Sequence, residues 1–372
     1  MAEFNAFVCA TCKRSYPLDS RDWWCECGGL FEFETQPSFD PGLIDAQDPG
    51  LWRYRALLPL EPTWEQVTLG EGGTPLLEAT WDGRPVRLKL EFLAPTGSFK
   101  DRGAAVLITA LHGIGVQRVV EDSSGNAGAS LAAYGAKAGI ACEVCVPASA
   151  AGPKLAQMAA YGAEVIEIKG KREYAALAAW AAAAHGAYYA SHVYNPYFLA
   201  GTETLAYELW EQLGHRAPAA LVIPTGNGTL FLGAYHGFQR LVQAGLIDHL
   251  PRFFAVQAAG CAPVYQAFLD GAGDVEPVTP EATVASGIAI ANPVRGSQIL
   301  AALRASGGDA VAVDEDEIET TYTRLARRGF FVEKTSAVAM AALATIQNRL
   351  PRGESPVVVP LTGHGLKMCP QA

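Results

Sequence analysis

At 372 residues with 50% of them apolar, the chain can bury a large core and exceeds one typical domain, so two lobes are expected and a disordered or fibrous chain is excluded. A formal net charge of −10 argues against a broad nucleic-acid or anionic-membrane surface, so any phosphate has to be held locally. The opening Met1-Ala2-Glu3-Phe4-Asn5-Ala6 has no positive cluster ahead of an apolar stretch, and no later run reaches the length of a membrane span, so a soluble cytoplasmic protein is expected. In that setting the 8 cysteines should serve metal binding or burial, not disulfides.

Cysteine and aromatic residues crowd the first thirty or so positions, where Cys9 and Cys12 form C-x2-C and Cys25 and Cys27 form C-x-C. Four thiolates on two turns suit the tetrahedral shell of zinc, and so small a module gains folding energy from a metal; a metal-free ribbon is the alternative. A zinc-ribbon-like module is therefore expected over 5–33, followed by a Pro/Asp/Gly-rich linker over 34–50. From Pro85 onward, short β-branched runs at 86–90, 118–121, 141–146, 164–168, 220–223, 253–257, 310–313 and 356–360 alternate with helical patterns. That alternation predicts an α/β fold with largely parallel sheets. The alanine-rich stretch 175–184 reads as a surface helix with a small-residue packing face. Cys142 and Cys145, three apart on a predicted strand, point to opposite faces and read as core thiols, while Cys261 and Cys369 offer no pattern.

Three of the strands run into polar, Gly-rich turns that open helices or end the chain's pattern: Glu121-Asp122-Ser123-Ser124-Gly125-Asn126, Pro224-Thr225-Gly226-Asn227-Gly228-Thr229 and Leu361-Thr362-Gly363-His364-Gly365. Ligand sites of open α/β sheets lie at such carboxyl ends, so all three turns are expected to face one crevice. The second turn has neither Walker nor G-x-G-x-x-G spacing; it is either a phosphate cradle with a helix N-terminus behind it or an ordinary strand-to-helix turn. Ser123 and Ser124 suit an anion or a helix cap. Lys100, at the start of a predicted helix in Gly97-Ser98-Phe99-Lys100-Asp101-Arg102-Gly103, is either a solvated lysine or a nucleophile whose pKa is lowered by its surroundings.

Taken together, these segments resemble the fold-type II pyridoxal-phosphate enzymes over about 70–367, and within that group the threonine synthase family. The resemblance is carried by Glu71-Gly72-Gly73-Thr74-Pro75-Leu76, 97–103, 122–134, Gly226-Asn227-Gly228 and Leu361-Thr362-Gly363-His364-Gly365-Leu366-Lys367. It implies a two-lobed fold with parallel and mixed sheets flanked by helices, a large cofactor-binding lobe of 51–103 and 195–372, and a small mobile lobe of 104–194. It also implies that Lys100 holds pyridoxal phosphate as a Schiff base and then shuttles protons, and that Asn126 bonds the cofactor's 3′-oxygen. Gly226, Asn227, Gly228 and Thr229 would hold its phosphate, and Thr362 would face the ring nitrogen instead of capping a strand. A hydroxyl there places no full charge opposite the ring, which favours elimination and replacement over transamination.

By the same resemblance Ser123, Ser124, Ala127 and Asn195 meet a small amino-acid substrate, expected to be phosphorylated, and the working unit is a homodimer with no nucleic-acid or membrane partner. The implied reaction converts O-phosphohomoserine and water to threonine and phosphate. Two positions depart from the family pattern: Phe198 stands where an Asn-Pro-x-Arg arginine would bind substrate phosphate, and Lys334 where proline is expected. Lys154, Arg102 and Arg295 are candidate replacement cations, Lys334 reads as a surface lysine, and His364 as a loop-shaping residue. Alternatives are β-replacement on phosphoserine or acetylserine, β-elimination from serine, threonine or a diamino acid, and a cofactor-binding regulatory homologue without turnover.

Overall fold

The computed structural model describes residues 4–150, 152–350 and 355–368, and Cα packing divides them into two units, one of 4–72, 100–202 and 368, the other of 73–99 and 203–367. Cys369 lies outside the described residues. In chain order the elements are β1 (Phe7–Cys9), β2 (Ser15–Tyr16), β3 (Phe31–Phe33), β4 (Leu76–Trp81), β5 (Arg84–Lys89), α1 (Lys100–Gly113), β6 (Arg118–Glu121), α2 (Asn126–Ala138), β7 (Ala141–Pro147) and α3 (Pro153–Ala160). There follow β8 (Glu164–Ile168), α4 (Arg172–Ala184), β9 (Tyr188–Tyr189), α5 (Pro196–Gln212), β10 (Ala220–Pro224), α6 (Thr229–Gln243), β11 (Arg252–Ala258), α7 (Pro263–Leu269), α8 (Gly296–Ala305), β12 (Asp309–Val313), α9 (Glu315–Arg327), α10 (Lys334–Ile346) and β13 (Val357–Pro360).

Every strand expected from Pro85 onward is present, its ends within two residues of the expected ones, because continuous β-branched runs suit strands buried on both faces. The second unit holds a six-stranded sheet in the order β12-β11-β10-β13-β5-β4, parallel except for the antiparallel β4–β5 edge. The first unit holds a parallel sheet in the order β8-β7-β6-β9 and the antiparallel ribbon β2-β1-β3. On β7, Cys142 joins one apolar cluster and Cys145 another, and burial pushes their thiols up to about 12 and about 11. The three-residue offset places them on opposite faces, as period-2 alternation requires. The α4 helix buries only Ala175 and Ala179 fully, giving a thin face of small residues.

Helix α1 is buried on nearly all sides from Asp101 to Leu111, which explains a sequence with no polar stripe. It packs on α2, where Ser130 donates to Asp101 at 2.6 Å. The ribbon shares this core. Phe7 and Phe31 stack, Phe7 meets Tyr197 edge-on at 5.6 Å, and Trp23 sits among Trp24, Trp180, Tyr189 and Tyr194. Residues 51–72, expected in the large lobe, also pack here: Glu71 accepts hydrogen bonds from Trp52 Nε1, Leu69 N and Tyr134 Oη. Gly72 has φ +83°, and a Cβ on it would lie 2.3 Å from Leu51 N, so only glycine fits that approach. In the second unit a buried Lys89–Glu208 ion pair is tied to Thr74 O and Gly73 N, holding the chain where it enters β4.

Because Phe7 is 2% exposed and belongs to the same core as α1, Phe7→Ala is expected to remove about 3–5 kcal/mol from the first unit as a whole. Urea unfolding followed by tryptophan fluorescence should show the main transition moving to lower denaturant. A separate early transition with the main one unmoved would show that the ribbon folds by itself.

Candidate active site

Lys100 is the first residue of α1, directly after the turn that carries Gly97 and Ser98. Its Nζ lies 5.5 Å from the centroid of the Phe198 ring, over a face that offers dispersion and a quadrupole but no hydrogen bond. Desolvation brings the amine's pKa down to about 7, against an opposing pull from Glu121. Phe198 is itself fixed: a Cβ on Gly103 would come within 2.4 Å of its ring, and a Cβ on Gly201 would come within 2.1 Å of Arg102 O. The first turns of α1 and α5 therefore approach as closely as backbones allow.

The turn after β6 runs through Ser123, Ser124 and Gly125 to Asn126, all half-buried, with Ala127 buried behind them. Ser123 Oγ accepts from Gly125 N at 3.3 Å, and the residue at the cap of α2 is Gly125, which has no side chain to close the helix end. A Cβ on Gly128 would lie 2.1 Å from Ser123 O, so α2 starts hard against its own approach loop. Asn195 is buried, and both ends of its amide are engaged: Nδ2 donates to Tyr188 Oη at 2.8 Å and Oδ1 accepts from Tyr197 N at 2.9 Å. That pattern caps α5 and leaves one N–H and one lone pair of the amide for a ligand.

In the second unit, Thr225 is held by Val256 O and Ile223 O, and the chain turns through Gly226, Asn227 and Gly228 into α6. Gly228 has φ +78°, and a Cβ there would lie 2.5 Å from Ile299 Cδ1; one on Gly226 would meet Ile290 Cγ1 at 3.0 Å. The glycines open backbone N–H groups at the start of a fifteen-residue helix, the arrangement that accepts a phosphate. Thr362 lies two residues past β13 with its hydroxyl 3.1 Å from Ser336 Oγ, and Ser336 Oγ also accepts from Thr362 N and Gly363 N. Ser336 was not singled out from sequence, although it lies two residues past Lys334 in a segment that was. Lys334 itself is half-buried, paired with Glu319 and near the Tyr322 ring. His364 Nδ1 accepts from Leu366 N at 3.1 Å, the loop-shaping role expected of it. Of the candidate cations, Arg102 and Arg295 are buried, with Arg295 Nη1 donating to Gln298 at 2.9 Å, and Lys154 is half-buried on α3.

One pairing has no counterpart in the sequence patterns. His192 Nδ1 lies 2.8 Å from Glu121 Oε1, in the first unit, with the two side chains 12% and 1% exposed. Burial pushes the Glu121 carboxyl well up and His192 well down.

The four ribbon cysteines do converge: their sulfurs lie within 4.8 Å of one another, and Cys9–Cys27 and Cys12–Cys25 approach to 3.5 Å. Four sulfurs at a zinc–sulfur distance of about 2.3 Å stand roughly 3.8 Å apart, so the donor set fits the ion. The C-x-C knuckle closes because Gly28 takes φ +83° and Gly29 leaves room for Cys9 Sγ.

A folded amine with a pKa of about 7 against about 10.4 unfolded lowers stability wherever the unfolded chain binds the extra proton. The cost is absent above pH 10.4, grows as pH falls toward 7, and is constant below. Lys100→Met should therefore raise the melting temperature of the cofactor-free chain, by more at pH 7 than at pH 10.5. Equal melting temperatures at both would show a solvated amine.

Residues 67–363 match the family described as pyridoxal-phosphate dependent enzyme. The chain is 37% identical to threonine synthase of Methanocaldococcus jannaschii over 96% of its own length and 92% of that protein's, and 39% identical to threonine synthase of Mycobacterium tuberculosis over 88% and 89%. Among solved structures, a threonine deaminase from T.th. superposes with a TM-score of 0.68 at 26% identity, covering 78% of this chain and 92% of that one. The processed form of threonine deaminase isoform 2 from Solanum lycopersicum, at 21% identity and a TM-score of 0.69 over 89% and 88%, shares the fold. With the motif loops, the lysine set against Phe198 and these likenesses along most of its length, the chain belongs to the threonine synthase family of fold-type II pyridoxal-phosphate-dependent enzymes.

Proposed function

We propose that the chain is a lyase that converts O-phosphohomoserine and water to threonine and phosphate, with pyridoxal phosphate bonded to Lys100. The observation that carries the cofactor assignment is the Lys100 amine set 5.5 Å over the apolar Phe198 ring, where desolvation lowers its pKa to about 7 and lets it attack an aldehyde near neutral pH. A strand-to-helix turn with Gly228 in the left-handed region and Gly226 packed close on Ile290 fits the cofactor's phosphate. When bound, the cofactor supplies an electron sink for the charge left at the substrate carbon.

This chain's own residues then have defined tasks. Lys100, as a free amine, would take and return protons at the substrate carbons. Asn126 would bond the cofactor's 3′-oxygen, the backbone of Gly226, Asn227 and Gly228 with Thr229 would hold its phosphate, and Thr362, bonded to Ser336 at 3.1 Å, would offer a neutral hydroxyl to its ring nitrogen. Ser123, Ser124, Ala127 and Asn195 bind the substrate's carboxylate or its leaving phosphate. The ribbon holds one structural zinc through Cys9, Cys12, Cys25 and Cys27. The same reading carries a homodimer working in the cytoplasm, without nucleic-acid or membrane partners. Among the described residues no helix is long and apolar enough to cross a membrane.

Phe198 favours a second reading. Its ring fills the position where family members carry a phosphate-binding arginine, and it lies directly by Lys100, which suits a shorter, less cationic substrate such as phosphoserine, acetylserine, serine or threonine. Turnover should be compared side by side on phosphohomoserine and these three- and four-carbon amino acids, following threonine, phosphate, sulfonate or thiol products and keto acids. Threonine and phosphate in equal amounts are expected from phosphohomoserine. Activity confined to three-carbon substrates would replace the first reading by the second, and cofactor binding without turnover on any of them would indicate a regulatory homologue. Lys100→Ala should abolish turnover.

The purified chain is expected to contain one zinc per polypeptide, and Cys9→Ser should lose it together with part of the first unit's stability. A metal-free preparation with an unchanged melting temperature would leave a ribbon held by its aromatic packing alone.

A further inference from the structure

Beside the reactive lysine lies a buried pair of titratable side chains that the proposed chemistry does not use. Glu121 is the last residue of β6, and His192 follows β9; the two meet at 2.8 Å between Oε1 and Nδ1. His192 is packed edge-on against Phe198, with ring centroids 5.8 Å apart, and the same Phe198 ring is met by Lys100 Nζ at 5.5 Å. The second carboxylate oxygen, Oε2, is buried without a hydrogen-bond partner. An orphaned oxygen on a carboxylate that is 1% exposed is costly, and structures keep such a group where its charge has work to do.

Glu121 is withdrawn from solvent and His192 nearly so, but neither is isolated from other charge. Ionisable groups acting on it are Lys100 on α1, Asp122 beside it, Arg172 at the start of α4, Cys142 on β7 and Tyr189 on β9. Asp122 is already matched, accepting from Arg172 at 2.9 Å and from Tyr189 Oη at 2.8 Å. What remains is one carboxyl and one imidazole facing an amine.

We propose that Glu121 and His192 form a positioning pair that sets the protonation of the Lys100 amine by holding one proton between Oε1 and Nδ1. In one state Nδ1–H donates to a carboxylate and the pair carries a charge of −1, which stabilises Lys100 as an ammonium. After the pair takes up one proton at His192 Nε2, the Nδ1 proton passes to Glu121 Oε1, the carboxyl O–H donates to Nδ1 of a neutral imidazole, the pair is uncharged, and the neutral amine is favoured. A lysine that must be an amine to attack and an ammonium after taking a proton from carbon needs a nearby charge to follow it, and the apolar Phe198 face beside it supplies none. The inference rests on the reading of Lys100 as the reactive amine, and it concerns neither the substrate nor the phosphate site. Burial, which raises Glu121 and lowers His192, brings the two within reach of one shared proton.

The test uses the full cofactor-free chain. Lysines are labelled with acetic anhydride across pH 5 to 11, and peptide mass mapping gives the pH at which Lys100 is half reactive. The wild-type midpoint is expected near 7. Glu121→Gln removes the carboxylate and should move the midpoint down by about one pH unit, a tenfold rise in Lys100 labelling at a pH below both midpoints. Glu121→Asp should return it toward the wild type. His192→Phe leaves Glu121 without its donor, favours the protonated carboxyl, and should also move the midpoint down. In the wild-type chain, the ring nitrogen shifts of His192 in 15N spectra should change with the same midpoint as Lys100 labelling, a reading that needs no variant to fold. Midpoints unmoved in folded variants, or a His192 trace flat through the Lys100 transition, would overturn the proposal. A wild-type Lys100 midpoint near 10 would instead overturn the reading of Lys100 on which it rests. In the cofactor-loaded enzyme the acid limb of kcat should shift to lower pH in Glu121→Gln by the same amount.

Discussion

A lysine amine in water keeps its proton until about pH 10.4, and only the loss of that water makes it a nucleophile at neutral pH. In this chain the water is displaced by Phe198 and by a helix, α1, buried along nearly its whole length. The rest of the first unit is arranged to keep that contact. Gly103 and Gly201 lack side chains because the Phe198 ring and the Arg102 carbonyl occupy the space. Asn195 uses most of its amide to fix the turn that delivers Phe198. Desolvating an amine is unfavourable by itself, so the core around α1 has to be large enough to hold the helix in place regardless, and the ribbon's aromatics enlarge it.

An acidic protein with an anion to hold must concentrate its positive potential, and the turn proposed for the phosphate would do so mainly with backbone. The second unit's turn from β10 into α6 brings N–H groups forward at two glycines, one in the left-handed region, with the helix dipole behind them. Such a site adds little net charge and leaves the surface at −10 untouched. Thr362 follows the same pattern. A hydroxyl linked to Ser336, with two backbone N–H groups on that same serine, offers a fixed but uncharged partner.

Phe198 has two consequences that pull in different directions. Relative to the arginine of the family pattern it takes away a bidentate anion ligand, which narrows the choice of phosphorylated substrate. It also places an apolar face by Lys100 and an edge by His192, and so joins the lysine to a buried carboxyl–imidazole pair. A guanidinium in the same place would raise the cost of an ammonium beside it. The substitution is therefore coupled to the lysine's own protonation as well as to the substrate.

The α/β class, the strands from Pro85 onward and the motif turns were legible in the sequence because each is written in neighbouring residues: a β-branched run, a glycine at a forced φ, a C-x2-C spacing. The convergence of the four cysteines was legible for the same reason, since short spacing determines which side chains a turn presents. The Glu121–His192 pair joins residues 71 positions apart, and Ser336 reaches Thr362 across 26. Neither separation leaves a local pattern. The packing of residues 4–72 with 100–202 likewise came from aromatic contacts such as Phe7 with Tyr197 and Trp23 with Trp180, which no run of neighbours announces. Sequence by itself determined which groups could do the chemistry, because backbone conformation and residue type are local. Which of them are dry, paired or charged was decided only by tertiary structure, because desolvation and side-chain pairing depend on what the rest of the chain folds against each group.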